Sequence, residues 1–127
     1  MSLTNTFETT TLTWLFTADS ATRPTSWYIG LFTSDPTDTG AAGTEVSGGS
    51  YARTSASFTI SGNEATNSAA IEFPEATGSW GTITHIGVMD ASTGGNMIVH
   101  SALSASKTIA SGDVFRINAG DLDITLD

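Results

Sequence analysis

The sequence predicts a mainly β protein, an antiparallel β-sandwich or jelly-roll-like barrel carrying a short N-terminal α-helix. Three observations carry that expectation. Ser and Thr together supply 38 of the 127 residues, and Thr favours the pleated, half-buried surface of a sheet. Seven or eight short segments of apolar alternation recur between turn-forming residues, the spacing of an all-β domain. Cysteine is absent, so neither a disulfide framework nor a thiolate metal site can substitute for a packed core. The length allows one domain, divided into a helical segment over residues 1–20 and β structure over 26–127.

Leu3–Asp19 reads as the helix. Asn5 and Glu8 have the spacing of a variant capping box, and Phe7, Leu12, Leu15 and Phe16 approximate one apolar face. Thr9, Thr10, Thr11 and Thr13 are poor helix formers. A helix this rich in Thr is marginal alone and needs a surface to dock on, either its own sheet or a neighbouring subunit. At Ser26 the period changes to two. Trp27, Ile29 and Leu31 alternate with Tyr28, Gly30 and Phe32, so both faces are apolar and the strand is expected to be central and covered on both sides. The connection Thr33–Ser50 is rich in Pro, Gly, Asp and Ser. Loops of such length are uncommon in small domains and are functional or mobile.

Tyr51–Ile60 places Ala52, Ala56, Phe58 and Ile60 on one face and Arg53, Ser55, Ser57 and Thr59 on the other. Ser61-Gly62-Asn63 is a turn, and Ala69–Phe73 is a strand stopped by Pro74. Trp80–Asp90 and Asn96–Leu103 form the arms of a hairpin, with Gly in the connection ASTGG. Thr108-Ile109 is a further short strand, and Val114–Ala119 and Asp121–Asp127 close the chain. In the last of these, Leu122, Ile124 and Leu126 are expected to face inward. Trp14 and Trp27 sit in apolar patterns and are expected in the core. Trp80 opens a strand after Ala-Thr-Gly-Ser and is the tryptophan expected at the surface.

Charge excludes several functions. Four cations (Arg23, Arg53, Lys107, Arg116) face thirteen acidic residues, a net charge of −9. Nucleic-acid binding needs Lys and Arg to neutralise phosphates, and adhesion to anionic membranes needs them too. Neither partner is expected. No apolar run approaches the roughly 20 residues that span a bilayer, and the N-terminal residues lack the basic-then-apolar order of a secretory signal.

Few residues are arranged for chemistry. His85 and His100 fall on the two arms of the hairpin, yet zinc needs a third and usually a fourth ligand. Asp35, Asp38 and Glu45 offer oxygens to calcium, which takes six to eight, but the run lacks the alternating acids of an EF-hand. Thirteen carboxylates could hold a glycosidase pair only if two flank a cleft. No G-x-S-x-G elbow and no phosphate-binding glycine motif occurs. The expectation is a structural or binding protein that uses no cofactor.

The run Trp27–Arg53, WYIGLFTSDPTDTGAAGTEVSGGSYAR, resembles the signature of a group of small tailed-phage virion proteins commonly labelled tail fibre proteins. There an apolar Y-x-x-L-F-T strand precedes DPTDxG and then EVSGGxYAR. The similarity continues through Ala65–Ala69, Phe73–Thr77, Trp80–Gly87, Asp90–Asn96, Ser106–Thr108 and Ser111–Asp113. The resemblance implies a virion component and no catalytic residues. The chain shows no repeat from which to build a long shaft, and its −9 charge would be repelled by packaged DNA. These properties favour a decoration or cement protein on the outer capsid surface, bound to the major capsid protein. A tail fibre or tail-tip adaptor is the alternative, and a small carbohydrate-active enzyme a distant one.

The candidate contact residues are Trp14, Leu15 and Phe16, which would leave an apolar patch on a small domain, and Asp35, Pro36, Tyr51 and Arg53 in and after the long loop. The first group points to a homo-oligomer, a trimer by preference. For Arg53 two readings stand side by side. Arg and Tyr are enriched among interface anchors, and Arg53 could equally pair within the chain with a loop acid such as Glu45.

Overall fold

The computed structural model describes Met1–Asp127. Its elements are β1 (Ser2–Leu3), α1 (Asn5–Phe16), β2 (Tyr28–Phe32), β3 (Thr54–Ser55), β4 (Phe58–Ser61), β5 (Glu64–Asn67), β6 (Ile71–Glu72), β7 (Gly81–Met89), β8 (Met97–Ile109), β9 (Arg116–Ile117) and β10 (Asp123–Thr125). A five-stranded sheet has the order β1-β8-β7-β2-β3. A three-stranded sheet, β10-β5-β4, and a two-stranded one, β6-β9, complete the fold. Every pairing is antiparallel, as the sequence predicts, and no barrel closes.

The large sheet is built around the β7–β8 hairpin. Its turn is set by Asp90, whose carboxylate accepts the Asn96 N–H at 2.7 Å, and by Gly94 and Gly95, both at positive φ. A side chain at Gly95 would collide with that carboxylate. The inner face of the sheet contributes Ile29, Leu31, Ile86, Val88 and Val99 to the main core, which is completed by Ile71, Phe73, Trp80, Phe115 and Leu122. β2 is covered on both sides, as expected, with Ile29 through Phe32 all buried.

The outer face is shaped by two glycines. Gly30 lies directly opposite Gly87, leaving a trough without side chains. Phe32 and Met97 lie over it and form a second, smaller cluster with Met89. The Thr33–Ser50 segment folds over this face as an ordered loop. It is closed by Thr33 N–H donating to Thr44 O at 2.9 Å, and it buries Pro36 and Val46. Backbone bonds at its neck and apolar anchors beneath make it a packed Ω-type loop.

Several elements depart from expectation. The helix has no capping box. Thr4 is its N-cap, and the Thr4 hydroxyl donates to Met97 O at 2.6 Å in β8 instead of accepting from the helix. The Asn5 N–H is satisfied by Asp38 O of the long loop at 2.8 Å. Tyr51–Ile60 is two strands, β3 in the large sheet and β4 in the three-stranded one, because the chain changes layer at Ala56-Ser57. β5 is an additional strand without a large apolar residue. Its buried Asn67 holds it, donating to Ala69 O and Asn118 O and accepting from the Leu122 N–H, each at 2.9 Å. β8 continues through Ser104–Lys107 as one strand and absorbs the separate Thr108-Ile109 strand. At the C-terminus Leu122 is buried, Ile124 is half-buried, and Leu126 is exposed beyond the end of β10.

Candidate interaction surface

The expected roles of Trp14 and Trp80 are reversed, whereas Trp27 packs half-buried against the main core as expected. Trp80 is 4 % exposed. Its indole N–H donates to Gly49 O at 2.9 Å, and its ring meets Tyr51 edge-on, with centroids 5.4 Å apart. The polar tip of the indole finds its partner in the long loop, which local sequence does not reveal. Trp14 is 70 % exposed. The helix that carries it is anchored at its start by Thr4 and by Phe7, its one buried residue, while Thr10, Thr11 and Thr13 are half-buried.

Beyond that tether, α1 projects Leu12, Trp14, Leu15 and Phe16 into solvent, with Phe16 77 % exposed. The three helical candidates named from the sequence, Trp14, Leu15 and Phe16, are all exposed, as is Leu12, but at 3.6 residues per turn Leu12, Leu15 and Phe16 share one face of the helix and Trp14 lies roughly opposite. Close to the helix lies an open apolar cleft of about 530 Å³, lined by Trp27, Phe58, Ile60, Ile98, Ile124 and Leu126, with Thr11 as the only helix residue that reaches it. No local pattern in the sequence signals this cleft, which forms where the three-stranded sheet and the start of the chain meet.

The loop candidates serve a different purpose. Arg53 is locked in place, its side chain only 9 % exposed. Its Nε and one terminal nitrogen bind the two Glu45 oxygens at 2.7 and 2.8 Å. The other terminal nitrogen donates to Ala91 O at 2.9 Å and Gly94 O at 2.8 Å in the hairpin turn. Tyr51 completes the group. Its hydroxyl donates to Glu45 Oε1 at 2.8 Å and accepts the Leu31 N–H at 3.0 Å. Burial pushes the Glu45 carboxyl up, but hydrogen bonds from Arg53 and Tyr51 and the Arg53 charge outweigh it, and the carboxyl sits below its ordinary value. Hydrogen bonding to Glu45 is the largest influence raising Arg53 further. Burial above all drives the Tyr51 phenol well above its usual range. The group is a clamp that fastens the loop to β2 and to the hairpin turn.

Pro36 is fully buried under the loop, and Asp35 is exposed. Asp35 Oδ1 lies 3.9 Å from both His85 Nε2 and His100 Nδ1, while His100 Nε2 is hydrogen-bonded to Asp38 Oδ1 at 3.0 Å. The structure thus supplies acids to both histidines from the long loop. No three His, Asp or Glu side chains converge closely enough to hold a metal ion. Glu45, the third oxygen donor considered for calcium, is committed to Arg53.

The β-rich fold, the DPTDxG loop folded over the sheet and the EVSGGxYAR segment supplying the clamp give one consistent architecture for the motifs that the resemblance rests on. No curated protein matches the chain. A family model described as podophage GP4 fiber I protein gp80 matches residues 2–125. The chain belongs to that phage fibre protein family and is a structural component of the virion.

Proposed function

We propose that the protein is a non-enzymatic building block of a short fibre or fibre adaptor on the virion exterior. The observation that carries this reading is the family match over residues 2–125 to a protein described as a fiber protein. The architecture is compatible with it in a specific way. One globular unit without repeats cannot form a shaft, so a fibre made from it is assembled by adding copies or by attaching the unit to a ring. The exposed end of α1 offers a surface for such contacts, and the clamp keeps the long loop from moving away from the sheet.

Decoration of the capsid is the second reading, supported by the charge of −9, which suits an outward-facing position away from DNA. Copy number separates the two. Quantitative mass spectrometry of purified particles is expected to find roughly three to twelve copies, or a small multiple, following the symmetry of ring assemblies. Hundreds of copies per particle would move the protein to the shell. Particles lacking it are expected to retain DNA on heating and to fail in adsorption.

A further inference from the structure

The threonines of α1 are not scattered. Thr6, Thr9, Thr10 and Thr13 fall at i, i+3, i+4 and i+7, the spacing that puts residues on one helix face. That face forms one wall of a polar groove of about 380 Å³, flanked by the Ser20–Pro24 segment and by Asp90 and Asn96 at the two ends of the β7–β8 turn. Threonine is a poor helix former, so four of them on one face weaken the helix. A locally unfavourable choice of this kind marks a functional site. Trp14 follows Thr10 by four residues and flanks the same face one turn further along, where it is 70 % exposed.

The groups that line the groove are polar and free to bind. The hydroxyls of Thr6, Thr9 and Thr13 have no partner in the chain, and that of Thr10 donates to Thr6 O at 2.9 Å while keeping its lone pairs. Arg53 and Arg116 are engaged in ion pairs, whereas Arg23 has neither an ion-pair nor a hydrogen-bond partner. One Asp90 oxygen accepts the Asn96 N–H at 2.7 Å, and the other is held only by a 3.5 Å contact with the Asn96 side-chain amide.

We infer that this groove, with Trp14 at its end, binds a neutral saccharide. The lining selects the ligand class. An anion drawn to Arg23 meets the Asp90 carboxylate and a chain carrying −9, and a cation drawn to Asp90 meets Arg23. An apolar ligand would cover hydroxyls and charges without pairing them, which is unfavourable. A neutral polyol suits every group present. Its hydroxyls accept from Arg23, donate to Asp90 and exchange hydrogen bonds in both directions with the threonines. Its C–H face packs against the exposed indole. The volume of the groove falls within the range of small-ligand sites. Binding is a property of the purified protein. A copy count that moves the protein from a fibre to the shell leaves the inference standing, and a failure to bind sugar leaves the copy count untouched.

The test uses the full chain and a panel of neutral sugars at millimolar concentration: glucose, galactose, mannose, N-acetylglucosamine and their disaccharides. Binding is read by amide chemical-shift mapping and by tryptophan fluorescence. At least one sugar is expected to bind, to shift the amides of Thr9, Thr13 and Asn96, and to change the Trp14 emission. Trp14→Ala is expected to weaken binding about 10-fold, and Arg23→Gln about 10-fold or more. Thr9→Val/Thr13→Val preserves branching and removes two hydroxyls, and is expected to weaken binding about 5-fold or more. Leu12→Ser/Leu15→Ser, on the other side of the helix, is expected to leave affinity unchanged. Circular dichroism and thermal melting check that each variant remains folded, and the mapping on the parent stands without them. A parent that binds no sugar of the panel, shifts that map away from the groove, or binding that survives both Trp14→Ala and Arg23→Gln would each overturn the inference. So would tighter binding of glucuronate or inorganic phosphate than of any neutral sugar.

Discussion

Replacing Arg53 with Ala tests the clamp most directly. The substitution removes both contacts to Glu45, at 2.7 and 2.8 Å, and two more to the carbonyls of Ala91 and Gly94. It leaves the Glu45 carboxylate facing the Tyr51 hydroxyl alone. Breaking a buried ion pair by deleting one partner costs about 3–5 kcal/mol. Because the Glu45 side chain keeps 26 % of its exposure, water relieves part of that loss, and the expected cost is about 2–4 kcal/mol. At about 4 °C per kcal/mol for a domain of this size, Tm falls by about 8–16 °C. Thermal and urea denaturation at pH 7 measure it. The pair should also show the asymmetry of buried charges. Arg53→Met combined with Glu45→Leu removes both charges and should cost less than Arg53→Ala alone. A single variant that melts within 2 °C of the parent, or a double variant worse than the sum of the singles, would refute the clamp.

The same group makes stability depend on pH. The folded state holds the Glu45 carboxyl below its ordinary value of 4.5. Its contribution is present above that value and is lost as pH falls through the folded pKa, so the stability gap between parent and Glu45→Gln should shrink below pH 4.5 in acid titrations. The Tyr51 phenol, raised above its ordinary 10, acts at the other end. Its neutral form is held in the fold, and stability should fall above pH 10, less so in Tyr51→Phe. Asn67→Ala removes three hydrogen bonds from a side chain 2 % exposed and should cost about 3 kcal/mol in urea denaturation. Asn67→Asp should not rescue it, because two donations become acceptor facing acceptor. His100→Ala frees Asp38, whose carbonyl holds the first helix N–H. Amide exchange at Asn5 should speed up while the cost stays at about 1 kcal/mol or less.

The parts of the fold legible in the sequence are those whose side chains record their surroundings. Ile29 and Leu31 announce a buried strand, and ASTGG announces the β7–β8 turn. β5 leaves no signal because Glu64-Ala65-Thr66-Asn67 contains nothing large and apolar, and its place depends on ladders and on the Asn67 amide. The alternation from Tyr51 to Ile60 continues without interruption while the chain changes sheets, since period two records a pleat and not which neighbour it pairs with. The burial of Trp80 is hidden from local sequence because its partner, Gly49 O, lies 31 residues away. The exposure of Trp14 is hidden because an apolar pattern marks surface to be covered, without saying by what. Of the clamp, the scarcity of cations singles out Arg53 and makes pairing with Glu45 one of two readings, but the carbonyls of Ala91 and Gly94 come from a hairpin turn that only the fold brings near.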